Sequence, residues 1–247
     1  MLRMEKVKPW QADEGKGSAF YGLSSGQQLF WLANNELIFL WEKEGWLHLY
    51  AISSTVGKAK LLTPGNFEIQ YVSQFPDRSS LLFSSNRGDL NRQHIGQWKD
   101  SKITQITKGK GIEWSPVSDG LGNNFALGSS GLEPAAVKRL EQGKINTIFS
   151  SIDYPSSDLT LPEAVIFSAA DGVKIHGQLF LPKGLKTDQK NPALLFFHGG
   201  SRRQMLLGFH HRDYYHYAYA MNQYLASKGY LVLSVNYRSG TGYGLKF

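Results

Sequence analysis

A spacing of 42 to 46 residues recurs along the first part of this chain, and it restricts the fold before any other feature does. Three markers define it. A strand ending Leu37-Ile38-Phe39 comes first, then a strand His48-Leu49-Tyr50, then the run Leu61-Leu62-Thr63-Pro64-Gly65. They return as Leu81-Leu82-Phe83, His94-Ile95 and Gln105-Ile106-Thr107, at offsets of 44 (Phe39 to Phe83), 46 (Leu49 to Ile95) and 44 (Thr63 to Thr107). A weaker third copy carries Phe125, Val137 and Ile148, each 42 residues beyond its counterpart. Strand-filled repeats of this length have the spacing of β-propeller blades, four strands each.

The turns agree with that reading. In Pro76-Asp77-Arg78-Ser79, proline fixes φ and the aspartate bonds back to the backbone. Leu81 to Ser85 then runs into the turn Asn86-Arg87-Gly88-Asp89, and Trp114-Ser115-Pro116 reads as a degraded copy of the Pro76 turn. A β-sandwich with coincidental spacing is the competing reading. Three repeats are fewer than the four to eight that close a propeller ring. Repeats also stabilise one another only through their neighbours. The sequence therefore predicts a partial β-propeller of about three blades, an internal fragment without its N-terminal blades.

Composition narrows the class. Twenty-six glycines and 13% aromatic residues suit short strands joined by turns, and 41% hydrophobic against 19% charged excludes a disordered chain. The longest apolar runs, such as Leu37 to Trp41, fall far short of the roughly 20 residues of a membrane span. The first residues carry no apolar signal-peptide core. The absence of cysteine removes disulfides, thiolate metal sites and cysteine nucleophiles, and leaves the compartment open. The net charge of +7 is scattered rather than gathered on a stripe, which argues against a nucleic-acid partner.

After about residue 160 the texture changes. Glu163 to Phe167 and Val173 to Leu181 read as strands joined by an Asp171-Gly172 hairpin signal. Pro192 to Phe197 is apolar on both faces, as a buried parallel strand should be. Tyr214 to Lys228 is the helix candidate, with Gly229 placed for its C-terminal cap. Tyr230 to Val235 is a second apolar strand. Strand, helix and strand in this order make a βαβ unit, hence an α/β domain. The expected division is 1–158 and 159–247. Half of such a sheet is expected to leave Tyr230–Val235 as an exposed, aggregation-prone edge.

His198-Gly199-Gly200 stands directly after the first of these strands, where α/β sheets bind ligands. Glycines there let an amide N–H approach a developing oxyanion. The later loop Asn236 to Gly244 is glycine-rich, but it lacks the spacing and lysine of a phosphate-binding loop.

Together these residues resemble the prolyl oligopeptidase family of serine peptidases, closest to its dipeptidyl-peptidase and acylaminoacyl-peptidase branches. The resemblance rests on Gly45-Trp46-Leu47-His48-Leu49-Tyr50 followed by Leu62-Thr63-Pro64-Gly65. It continues through Ala170-Asp171-Gly172, Gly177 to Pro182, the strand ending in His-Gly-Gly, and Asn236-Tyr237-Arg238 with Gly242-Tyr243-Gly244. Two positions depart from it: Ser201 stands where the family has proline, and Ser239-Gly240 reverses its Gly-Ser. The resemblance implies a β-propeller followed by the N-terminal half of an α/β-hydrolase domain that cleaves short peptides by Ser-His-Asp acyl transfer. It also implies that Gly200, then Gly199, donate to the oxyanion at the strand end that His198 begins. No cofactor or metal is implied. Serine, aspartate and histidine of the triad would follow Phe247, so the chain alone is expected to be inactive. For the parent protein the resemblance allows a homo-oligomer, and a cytoplasmic or periplasmic location. An esterase of the same fold, or a propeller interaction module without activity, are the alternatives.

Gly22-Leu23-Ser24-Ser25-Gly26 fits the nucleophile pattern but lacks the strand–turn–helix setting, and reads as a turn. His210, His211 and His216 with Asp213 have no zinc-site spacing and are expected to pack, cap or touch the propeller. Tyr214, Tyr215, Tyr217, Tyr219 and Tyr224 are read as an apolar contact stripe, and His176 as a satisfied structural histidine.

Overall fold

The computed structural model describes residues 29–55, 57–141, 143–150, 154–186, 188, 190–200 and 202–247. The Gly22–Gly26 pattern and Ser201 lie outside them.

Three four-stranded sheets follow one another. The first holds β1 (Leu29–Trp31), β2 (Glu36–Trp41), β3 (His48–Ser53) and β4 (Lys60–Leu61); the second holds β5 (Ile69–Gln74), β6 (Ser80–Ser85), β7 (His94–Lys99) and β8 (Lys102–Gln105). The third holds β9 (Ile112–Ser118), β10 (Asn124–Ser129), β11 (Ala136–Glu141) and β12 (Lys144–Phe149). Every neighbour pair is antiparallel and in chain order, so each sheet is a meander, and together they form three blades of a propeller. The repeat markers fall on matching strands. Phe39, Phe83 and Phe125 stand on second strands, and Leu49, Ile95 and Val137 on third strands.

The repeat is chemical as well as geometric. In the first two blades the threonine hydroxyl after the fourth strand accepts the amide of the third: Leu49 N–H to Thr63 at 3.0 Å, and Ile95 N–H to Thr107 at 2.8 Å. Blades pack through their faces. Phe30, Ile38 and Leu49 share a core with Ile69, Leu81 and Phe83, while Leu82 and Ile95 meet Ala126 and Leu140. The Pro76 turn forms as expected, with Asp77 Oδ1 accepting the Ser79 amide at 3.0 Å.

Trp114-Ser115-Pro116 corrects the expected turn. It lies inside β9, where Ser115 has φ +49° and the register to β10 slips. Tyr71 makes the same bulge in β5, at φ +44°. Both are first strands of their blades and edge strands of their sheets, where a bulge is tolerated, and in β9 it accommodates Pro116.

A fourth sheet is mixed. Its strands are β13 (Glu163–Ser168), β14 (Lys174–Phe180), β15 (Ala193–Phe197) and β16 (Leu231–Asn236), in the order β13-β14-β16-β15, with only β15 and β16 parallel. Helix α1 (Asp213–Ser227) joins the parallel pair. It ends in a Schellman motif: Gly229, at φ +93°, donates to Ala226 O and Tyr230 donates to Leu225 O.

Two expectations fail on this sheet. β15 is not buried on both faces, since Leu195 is 65% and Phe197 56% exposed. Phe196 packs toward α1, so its neighbours point to a face that no helix covers. Nor is Tyr230–Val235 the free edge. β16 is paired on both sides, and β15 and β13 are the edges.

No helix among the described residues is long and apolar enough to cross a membrane.

Candidate functional site

The parallel pair sets the site's position, because both strands end at the same rim. After β15 the chain turns through His198, Gly199 and Gly200; after β16 it enters Asn236 to Gly244. Gly200 has φ +60°, a conformation that L side chains adopt only under strain. A Cβ at Gly199 would make only an ordinary contact, 3.5 Å from the Tyr215 hydroxyl. The need for glycine is thus conformational at 200 and not steric at 199.

Tyrosine hydroxyls reach three carbonyls of this turn and donate to two of them at a time. Tyr237 donates to His198 O at 2.7 Å and lies 3.0 Å from Gly200 O; Tyr215 donates to Gly199 O at 2.9 Å. Neither the Gly199 nor the Gly200 amide donates a hydrogen bond among the described residues. The His198 and Gly199 carbonyls share their peptide planes with the Gly199 and Gly200 amides, so the tyrosine hydroxyls hold those amides in place as well.

His198 itself is buried and stacked on Tyr237, with centroids 4.4 Å apart and planes 16° from parallel. Neither ring nitrogen reaches good hydrogen-bond geometry among the described residues, and burial holds the imidazole below its usual pKa, with the Gly199 and Gly200 backbone acting the other way. It is a neutral packing group. Among the described residues no serine hydroxyl bonds to a histidine ring, and no three metal-ligating side chains gather to hold an ion.

The histidine cluster behaves as packing. His210 stacks on His211 at 4.1 Å, accepts the Arg212 amide at Nδ1 (3.0 Å) and contacts Gln204 O through Nε2 at 2.9 Å. His211 meets Tyr71 edge-on at 5.2 Å and lies against Trp114, a direct contact with the blades. Burial pushes His211 down to about 3. The tyrosine stripe divides: Tyr215 and Tyr219 are buried, whereas Tyr214, Tyr217 and Tyr224 face solvent. His176 stacks on Tyr243 at 4.3 Å, and its buried Nδ1 has no partner, so it is stacked rather than satisfied.

The Asn236–Gly244 loop is a clamp. Asn236 exchanges hydrogen bonds with Met205 at 2.7 and 3.0 Å, and Arg238 forms an ion pair with Asp171. The Gly242 and Gly244 amides donate to Glu68 at 2.8 and 3.3 Å, and the Asn86 amide donates to Gly242 O at 2.7 Å. Those amides, the ones a phosphate would use, are already taken by a carboxylate of the second blade. Burial raises Glu68 to about 7, with the glycine amides acting the other way. Ser129 and Tyr219 add further ties, Ser129 Oγ to Phe209 O at 2.6 Å and Tyr219 to Gly131 O at 3.0 Å.

Tyr237 and Glu68 carried no assigned role in the sequence, and Tyr215 was read only as part of an apolar contact stripe. Tyr237 stood inside a quoted motif and Tyr215 inside the stripe, so both were visible as residues. Nothing local marks Glu68, whose partners are 174 and 176 residues away.

Residues 16–133 match the family model of the dipeptidyl peptidase IV N-terminal region. Peptidase YuxL of Bacillus subtilis (strain 168) is 33% identical over 89 residues, which are 36% of this chain and 12% of that protein. Dipeptidyl peptidase 8 of Mus musculus is 32% identical over 93 residues, 38% of this chain and 10% of that one. Among solved structures, a Mycobacterium tuberculosis puromycin-hydrolyzing peptidase superposes with a TM-score of 0.74 at 18% identity, covering 89% of this chain and 35% of its own. Dipeptidyl peptidase 4 of Porphyromonas gingivalis gives 0.71 at 18%, covering 88% and 31%. The matches thus span about a tenth of those curated relatives and about a third of those solved chains.

Proposed function

We propose that this chain belongs to the prolyl oligopeptidase family of peptidases and is a portion of a serine peptidase that hydrolyses short peptides by acyl transfer, a reading supported by the family-model match and by the relatives and solved structures it resembles. Residues 1–158 are its partial propeller and 159–247 the N-terminal half of its α/β-hydrolase domain. The triad comes from sequence outside these 247 residues, so this chain alone turns over no peptide. A serine, deprotonated by a histidine that an aspartate orients, attacks the scissile carbonyl. The oxyanion that forms takes its hydrogen bond from Gly200 N–H, with Gly199 N–H next.

One observation carries the reading: the Tyr237 and Tyr215 hydroxyls hold the carbonyls of His198 and Gly199, while neither glycine amide donates a hydrogen bond among the described residues. Such fixed donors need no reorganisation when charge develops.

The test removes one donor. Glycolic acid in place of Gly200 turns its amide into an ester and deletes the N–H without adding a side chain. In a polypeptide that carries this sequence together with a Gly-x-Ser-x-Gly segment, kcat should fall roughly 100- to 1000-fold, the cost of one such donor. An unchanged kcat overturns the assignment, and so does peptide turnover by the 247-residue chain alone.

A further inference from the structure

Helix α1 buries Tyr215, Tyr219 and Ala226 against the mixed sheet, and on its opposite side Tyr214, Tyr217, Met221 and Tyr224 are 69%, 72%, 55% and 52% exposed. These four follow at spacings of three, four and three residues. That period keeps side chains in one stripe along a helix and forms the seam between two packed helices. Lys228 continues it, four residues further on.

The stripe is unusual for a surface helix in what it lacks. Between Asp213 and Lys228 the sequence has no lysine, arginine, aspartate or glutamate. His216, on the flank, packs on Phe209 at 4.7 Å, and burial lowers its pKa. A helix side that meets water normally carries charge. Tyrosine and methionine with charge depleted is instead the composition of an interface core.

The two remaining charges select the occupant. Asp213 opens the helix and Lys228 follows its last turn, both exposed, at opposite ends of the stripe. The Lys228 ammonium lies 5.2 Å over the Tyr224 ring, in line with the stripe. A second α1 running antiparallel sets each aspartate beside the other copy's lysine and opposes the two helix dipoles. A two-fold axis generates that arrangement, and a two-fold interface must be self-complementary.

We propose that the outer face of α1 is the interface of a homodimer, in which two α1 helices pack antiparallel about a two-fold axis. Met221 then lies near the axis, and Tyr217 of each copy faces Tyr224 of the other. The interface goes beyond the proposed peptidase reading. Its test reads mass and cross-linking rather than turnover, so either can fail without the other.

Sedimentation equilibrium of the 247-residue chain at micromolar concentration should give twice the chain mass. Tyr217→Lys should raise the dissociation constant at least tenfold while keeping the parent's circular dichroism spectrum, since the Tyr217 side chain supports no core contact. Leu195→Lys, on the far edge strand β15, should leave the dimer intact. The chain has no cysteine, so Met221→Cys should cross-link to itself on oxidation. Tyr214→Cys, held roughly 20 Å from its own copy, should do so at least tenfold more slowly. A monomeric parent, a dimer that survives Tyr217→Lys, or one that Leu195→Lys dissolves overturns the proposal. Equal cross-linking rates of the two cysteine variants overturn it as well.

Discussion

Glu68 and Gly242 are joined by a 2.8 Å hydrogen bond that closes a loop of 174 residues. The carboxylate belongs to the second blade and the amide to the loop after β16. A second bond to Gly244, and the Asn86 amide on Gly242 O, make this a buried three-point seam between blades and mixed sheet.

That seam is sensitive to pH. Burial raises Glu68 from its ordinary value to about 7. Between those limits the folded chain keeps a proton that the unfolded chain has released, so this group's contribution to stability falls as pH rises. Glu68→Gln should therefore gain on the parent by roughly 1–3 kcal/mol between pH 5.5 and pH 8. Urea midpoints of both proteins at the two pH values measure it, and a pH-independent difference would count against a raised carboxyl.

Histidines set the opposite slope on the acid side. Burial lowers His48 to about 4 and His211 to about 3. Each unfolded imidazole takes up its proton below about 6.5, while the folded ring stays neutral, so stability is present above that value and lost as pH falls. His211→Phe keeps the ring contact with Tyr71 and Trp114 and removes the titration. At pH 4 it should retain roughly 3 kcal/mol that the parent loses. Identical acid-unfolding midpoints would refute this.

Glu113 anchors the second blade to the third. Its Oε2 bonds His94 Nδ1 at 2.9 Å and accepts the Thr107 hydroxyl at 2.8 Å, all three side chains buried. Glu113→Ala leaves both partners unsatisfied and should cost about 3 kcal/mol by chemical denaturation. Glu141→Ala, which removes an exposed contact with Arg139, should cost under about 0.5 kcal/mol. Equal effects would mean that burial of the network adds nothing.

β15 is one of the two open edges of the mixed sheet. Leu195→Lys places a charge on its uncovered face and should slow aggregation severalfold in light scattering, while shifting the denaturation midpoint little. The same substitution at Val232, buried on the covered face of β16, should destabilise instead. Equal aggregation of parent and Leu195→Lys removes β15 as the template.

The blades were legible because each is built from local pairings, so its markers recur at a fixed offset and the offset survives substitution. Phe39, Phe83 and Phe125 needed no structure to be matched. β15 was misjudged because its apolar run describes what its side chains tolerate, not what covers them; one helix covers one face only. The His-Gly-Gly turn was visible from its position after a strand, whereas the hydroxyls that hold it come from Tyr215 and Tyr237, 16 and 37 residues away from the carbonyls they reach. Periodicity carries no information about such pairings. For the same reason Trp114-Ser115-Pro116 looked like a turn, although a bulged edge strand accepts the same proline.

The order β13-β14-β16-β15 also bears on how the chain emerges during synthesis. A blade can close as soon as its own four strands have left the ribosome. β15 has no neighbour when it appears: its only partner is made 38 residues later, as Leu231 pairs with Ala193, and must slip between two strands already waiting. Vectorial folding therefore runs in two tempos, quick and local through the blades, then slow and long-range through the sheet. Through that delay Leu195 and Phe197 stand unpaired in solution, a window in which a nascent-chain chaperone has the most to do.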